Sequence, residues 1–66
     1  MAKAGVGIDP WKREIFERHL TEAGYTFKNL GLITDGVMML HVEADDLYRL
    51  QHVLERANAE AVIANN

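Results

Sequence analysis

Apolar side chains recur at helical spacing near the beginning of the chain. Together with one histidine they fall on one side of a 3.6-residue wheel: Trp11, Ile15, Phe16, His19, Leu20 and Ala23. Asp9 and Pro10 precede this stripe and predict a helix start. An aspartate oxygen can accept hydrogen bonds from the unpaired backbone N–H groups of the first turn, and proline lacks only an N–H that would have no partner within the helix. Gly24 follows the stripe and can close a helix. The pattern predicts a first helix over residues 10–23.

The dipeptide Asp35-Gly36 lies between two apolar runs, residues 30–34 and 37–43. Asp-Gly between such runs is a strong hairpin signal, because both residues of the favoured turn must tolerate positive φ. The pattern therefore predicts a two-residue turn and an antiparallel hairpin.

Counting outward from that turn without a bulge places Lys28 opposite Glu43, a charge match that supports the register. One face would then be the core side, with Phe27, Gly31, Ile33, Met38, Leu40, Val42 and Ala44, interrupted by Asn29. The other face would carry Lys28, Leu30, Leu32, Thr34, Val37, Met39, His41 and Glu43. This second face is too apolar to be left in water, so it predicts an association surface. A bulge at Gly31 that turns some of these side chains inward is the alternative.

A second helix is predicted to begin at Asp45-Asp46, where acidic residues suit the positive end of the helix dipole. Its core stripe alternates spacings of three and four residues: Leu47, Leu50, Leu54, Ala57, Ala61 and Ala64. A thinner second line, interrupted by Glu55, carries Tyr48, His52, Ala59 and Ile63.

The two ends of the chain decide between two related folds. We expect residues 1–8 to be a flexible arm or a short edge strand, since Gly5 and Gly7 weaken a strand, and residues 62–66 to be a tail. The fold class is then α+β: a small α-β-β-α domain in which two helices cover one face of an antiparallel hairpin. If both ends were strands, the order would be that of ferredoxin-like domains, so a reduced ferredoxin-like arrangement is the alternative.

Composition fits one small domain spanning residues 1–66. The chain is 48% hydrophobic and 26% charged, and a domain of this size buries only about 60% of its unfolded surface. It has no cysteine that could staple it, and the net charge of −3 argues against general affinity for phosphate backbones. No apolar run approaches the ~20 residues of a membrane helix. We therefore expect a cytoplasmic protein without membrane or nucleic-acid partners.

Catalytic chemistry has little support in the sequence. The chain has neither serine nor cysteine to act as a nucleophile, and Gly5-Val-Gly7 lacks the third glycine of a nucleotide-binding loop. The three histidines, His19, His41 and His52, lie in separate predicted elements without metal-ligand spacing. We expect no enzyme activity, no metal and no cofactor.

These patterns favour a small non-enzymatic protein-binding module, a homodimeric inhibitor or modulator of a larger protein, such as phages and mobile elements encode. The predicted partner-binding residues form two patches: Leu32, Met39 and His41 on the hairpin, and Tyr48, His52 and Ile63 on the second helix. Aromatic and methionine side chains are enriched in interfaces, and Tyr48 is the predicted anchor. The alternatives are a dimeric nucleic-acid-binding regulator and a small-ligand sensor with a ferredoxin-like fold.

Overall fold

The computed structural model describes residues 2–64 and contains three strands and two α-helices. The elements are β1 (Ala2–Ile8), a 3₁₀ helix (Pro10–Lys12), α1 (Arg13–Glu22), β2 (Thr26–Thr34), β3 (Val37–Ala44) and α2 (Leu47–Ala64). The strands form an antiparallel sheet in the order β1-β3-β2. The predicted α+β class and the hairpin are confirmed.

The core lies between both helices and one face of the sheet. Its largest fully buried side chains are Leu20 of α1 and Leu40 and Val42 of β3. Around them pack Ile8, Phe16, Ala44, Leu50 and Ala57. The central strand therefore supplies the middle of the core, as the alternation along residues 38–44 predicted.

The first segment is a strand, so the expectation of a flexible arm is wrong for residues 2–8, and the alternative of an edge strand holds there. β1 pairs with β3 along its whole length without a bulge. Side chains of β3 lie over its two glycines: a Cβ on Gly7 would sit 3.2 Å from Cγ1 of Val37, and one on Gly5 would sit 3.4 Å from Sδ of Met39. A side chain at Gly7 would require Val37 to shift, whereas a Cβ at Gly5 would make an ordinary contact. Residue 1 lies outside the described residues.

The last segment is helical, since α2 continues to Ala64 and includes residues 62–64 of the predicted tail. Residues 65 and 66 lie outside the described part of the chain. At the other end of α2, Oδ1 of Asp46 accepts hydrogen bonds from the backbone N–H groups of Tyr48 (2.9 Å) and Arg49 (3.2 Å). Asp46 thus caps the helix, which begins where the acidic pair predicted a helix start.

The first helix begins differently from the prediction. Residues 10–12 form a 3₁₀ helix before α1, and the Asp9 carboxylate makes no capping hydrogen bond. It lies instead 3.6 Å from Nζ of Lys12. The backbone carbonyl of Asp9 accepts from the N–H of Lys12 at 2.9 Å, which closes the tight first turn.

The predicted hairpin register is wrong beyond the turn. Thr34 pairs with Val37 as expected, but irregularities between Leu32 and Thr34 and between Asn29 and Gly31 shift the register twice. Gly31 has a φ of +79°, and its N–H donates to Oδ1 of Asn29 at 2.8 Å, so the bulge at Gly31 exists.

The shifted register changes every pair of β2 except that of Thr34 with Val37. Thr26 faces Glu43, Lys28 faces His41, and Leu32 faces Met38. The predicted pairing of Lys28 with Glu43 does not form, since each bulge inserts an unpaired residue into β2.

The turn also differs from the predicted type. Gly36 has a φ of +75°, whereas no residue other than glycine has positive φ among residues 2–64. Asp35 therefore keeps an ordinary backbone conformation. The turn requires positive φ at Gly36 only, and not at both residues.

Candidate functional site

The face of the sheet opposite the helices is the main candidate site. Antiparallel partners point to the same face, so three rows of residues cross it: Lys3-Glu43-Thr26, Gly5-His41-Lys28 and Gly7-Met39-Gly31. Neither helix lies on this face in residues 2–64, since the buried side chains of both pack on the other side. We call it the uncovered sheet face. It is polar where β1 begins and apolar toward the turn.

A shallow depression of about 180 Å³ lies at the polar end of the uncovered sheet face. It is lined by Lys3, Thr26, Phe27, Lys28, His41 and Glu43. Small-molecule sites usually have volumes of about 300–1,000 Å³ and are more enclosed. The depression is better suited to polar contacts with a macromolecule than to enclosing a small ligand.

Met39 and His41 lie on the uncovered sheet face, as predicted, but Leu32 does not. Because Leu32 is opposite Met38, its side chain is directed toward the helix side, where it is 64% exposed at the outer strand. The two bulge residues, Leu30 and Ile33, are half exposed. The predicted patch of Leu32, Met39 and His41 is therefore split across the two sides of β2 and β3.

Asn29 is a polar residue on the helix side of β2. Its Nδ2 donates to Oε2 of Glu17 on α1 at 2.9 Å. This hydrogen bond explains an amide in an otherwise apolar row and places α1 above β2.

The second predicted patch lies on the outward side of α2. Tyr48 is 79% and Ile63 is 73% exposed, and His52 is also exposed. An open depression of about 740 Å³ beside His52 runs between this helix and the end of α1, lined by Ala23, Arg49, His52, Val53, Glu55, Arg56 and Ala59. The three predicted residues thus share one accessible side of one helix, and their role in binding stays a prediction.

Charged side chains join the two helices along their seam. Glu60 accepts from Arg18 and lies 3.0 Å from Nε2 of His19. The His19 hydrogen bond and the Arg18 guanidinium hold the pKa of the Glu60 carboxyl below its ordinary value, although desolvation opposes them. His19 therefore has a structural partner within the chain. The cluster orients α1 against α2 and contributes little stability, because exposed ion pairs are weak.

Arg49 links the beginning of α2 to the end of α1. Its guanidinium lies 5.2 Å from the centre of the Tyr25 ring and donates to the carbonyl of Ala23 at 2.9 Å. The Tyr25 hydroxyl is buried without a hydrogen-bond partner. These contacts satisfy a free carbonyl at the helix end, so their role is structural.

Sequence reasoning missed a strip along α2. Leu47 was placed in the core stripe, yet it is 54% exposed, and Val62 is 52% exposed. The two lie on one flank of α2 with Gln51, Leu54 and Asn58. Helical spacing could have identified this flank, but only the position of β1 shows what lies beneath it.

Comparison of the chain with known protein families, with curated proteins and with solved structures gave no match. Within residues 2–64, no three histidine, aspartate or glutamate side chains come together as a metal site. No helix in the same residues is long and apolar enough to span a membrane.

Proposed function

We propose that this chain is a non-enzymatic, cytoplasmic protein-binding module that forms a homodimer and modulates a larger protein. The observation that carries the proposal is the uncovered sheet face, where the side chains of Val37 and Met39 lie next to the glycines of β1. A three-stranded sheet with helices on one side only leaves its second face in water, and here that face carries the apolar side chains of Val37 and Met39 near the turn. A second copy that packs on this face completes the layer.

Charge on the uncovered sheet face favours a second copy of this chain. The polar end carries Lys3 and Lys28 together with Glu43. In a two-fold dimer the same surface of both copies is in contact, related by a rotation of 180°. The lysines of one copy can therefore lie beside the glutamate of the other. A uniformly basic face would instead have favoured nucleic acid, and the acid between the two lysines opposes that alternative.

The proposed dimer predicts a native mass of about twice 7.5 kDa at micromolar concentration, measured by light scattering. Met39→Lys should shift the protein to monomer with an unchanged circular dichroism spectrum, because it places a charge in the buried seam. Leu32→Lys is the matched control, since Leu32 is exposed but lies off this face, and it should leave the mass unchanged. A parent protein that is monomeric at high micromolar concentration and unfolds cooperatively would disprove the dimer.

With the sheet face occupied by a second copy, the outward side of α2 is left for a heterologous partner. Tyr48 combines a large exposed ring with a hydroxyl at low entropic cost. Tyr48→Ala should weaken binding of a partner captured from the native host by about 1–3 kcal/mol, measured with the purified partner by calorimetry.

Thr21→Ala, an exposed substitution on α1, serves as the control and should leave partner affinity unchanged. Unchanged affinity after combined Tyr48→Ala and His52→Ala substitution would exclude this side of α2. Failure to capture any protein with the dimeric parent would count against the binding function itself.

A further inference from the structure

The outer edge of β1 is a row of backbone donors and acceptors with no partner strand in the described part of the chain. β1 is seven residues long and pairs with β3 on one side only, and no strand in residues 2–64 pairs with its other side. In an antiparallel strand every second residue directs both its N–H and its C=O away from the neighbour. β1 therefore presents an unsatisfied hydrogen-bonding edge.

The two edges of the sheet differ in how well they are protected. β2, the other edge strand, carries two register irregularities and Lys28, and bulges and lysines are devices that block further strand pairing. β1 has an unbroken register of seven pairs, no proline and one charged residue, Lys3. β1 is therefore the edge that remains competent for pairing.

The placement of α2 over the β1 side of the sheet follows from its packing beside α1. The hydrogen bond between Asn29 and Glu17 places α1 above β2. Two packed helices lie about 8–10 Å apart, and the outer strands of a three-stranded sheet are separated by about the same distance. Because α2 packs beside α1 on the same sheet face, it lies over the opposite edge of the sheet. Lys12, just beyond the end of β1, accordingly donates to Oδ1 of Asn58 on α2 at 3.1 Å.

The side of α2 turned away from α1 therefore overhangs the β1 edge. We call this side the outer flank: Leu47, Gln51, Leu54, Asn58 and Val62. Leu47 and Val62 are about half exposed, and Leu54 is partly buried. Beneath, Ala4 and Val6 of β1 face the core but remain partly exposed, unlike the fully buried Leu40 and Val42 of β3. Three apolar residues of the outer flank, Leu47, Leu54 and Val62, thus lie on the side of the helix above the apolar residues of the open edge.

The available space fits a lone strand better than a second copy of this edge. A paired strand lies about 4.8 Å from β1. A second copy paired through its own β1 would bring its α2 close to this α2, and helices with leucine and valine at their contact need about 8–10 Å. An extended segment that carries no helix on that side avoids this clash.

We propose that the β1 edge binds an extended segment of a partner protein, which adds to the sheet as a fourth strand beneath the outer flank of α2. The segment pairs with β1 through backbone hydrogen bonds and directs alternate apolar side chains toward Leu47, Leu54 and Val62. The ligand class is therefore an extended peptide with apolar residues at every second position. The inference rests on the proposed binding function in one respect: it assigns the added strand to another protein.

A tethered strand tests whether the edge accepts such a ligand. A strand as long as β1, with alternating valine and threonine, is fused after residue 66 through a short flexible Gly-Ser linker. The contact between Lys12 and Asn58 places the last turns of α2 near the end of β1, so the fused strand can start there and run antiparallel to β1. Tethering raises its effective concentration to the millimolar range.

Amide hydrogen exchange of β1, read by NMR, is the measurement. The outward-directed amides of β1 should exchange at least about tenfold more slowly in the fusion than in the parent chain. The same fusion with proline at alternate strand positions should give no protection, because proline cannot donate to the ladder. Unchanged exchange in the valine-threonine fusion would overturn the proposal.

Two double substitutions on adjacent sides of α2 provide a test variant and its matched control. Leu47→Asn with Val62→Asn changes the outer flank and should abolish most of the protection. Tyr48→Asn with Ile63→Asn changes the adjacent outward side, which is more exposed, and should leave the protection intact. Protection that survives the flank change, or that is lost equally in both pairs, would overturn the assigned site. A monomeric parent or a missing partner would refute the proposed function without altering this exchange result.

Discussion

Replacing Leu40 by alanine should lower the free energy of unfolding by about 2–5 kcal/mol. Leu40 is fully buried in the central strand, between Val6 on β1 and Asn29 on β2. The substitution removes apolar surface from the core and leaves a cavity that both neighbouring strands would have to close. A chain of 66 residues has a free energy of unfolding of roughly 3–10 kcal/mol, so this single change should remove a large part of it.

Leu32→Ala is the matched control for Leu40→Ala, since it makes the same chemical change on the neighbouring strand. Leu32 is 64% exposed, and surface substitutions usually alter stability by less than about 0.5 kcal/mol. Urea unfolding followed by circular dichroism measures both variants. Equal losses from the two substitutions would contradict the register of the hairpin, because they would require Leu32 to be as buried as Leu40.

Replacing Gly36 by alanine should cost about 1–2 kcal/mol, and replacement by valine should cost more. Gly36 has a φ of +75°, a conformation that a Cβ atom disfavours and a β-branched side chain disfavours further. Apart from its two chain neighbours, no described residue has an atom within 4 Å of the Cβ position, so the cost comes from the backbone and not from a clash. Thermal unfolding of the variants measures the loss.

Gly5→Ala is the control for Gly36→Ala. Gly5 has no positive φ, and its added Cβ would make ordinary contact with Sδ of Met39 at 3.4 Å. Alanine there should be neutral or stabilise by up to about 1 kcal/mol, because it restricts the unfolded chain. If both glycine variants lost the same stability, the turn at residues 35 and 36 would not have the described conformation.

In the hairpin, local sequence patterns predicted the turn and one strand face but not the register. Asp35-Gly36 identified the turn, and the alternation in residues 37–44 identified the core side of β3, because both signals depend on near neighbours in the chain. The register of β2 could not be counted from the turn, since the two bulges insert Leu30 and Ile33 as extra residues. Gly31 was the one local sign of a bulge.

The surface positions of the proposed binding residues were predicted less completely than the elements. Tyr48, His52 and Ile63 were grouped correctly because helical spacing alone places them on one side of α2. Leu32 was grouped with Met39 and His41 through the wrong register, and the exposed flank with Leu47 and Val62 was missed. A helical wheel shows which residues share a side, but not where the neighbouring layer ends.

The sequence by itself determined the α+β class, both helices, the turn and the core side of β3. These features follow from hydrophobic periodicity and from residues such as Gly36 and Asp46 that act on their immediate neighbours. The tertiary structure alone decided that residues 2–8 form a strand, since glycines weaken a strand locally and the segment is ordered by pairing with β3, which is distant in the sequence. It also decided that one sheet face and the β1 edge are open within residues 2–64, because this depends on the order of the strands and on where the helices pack, and not on local sequence.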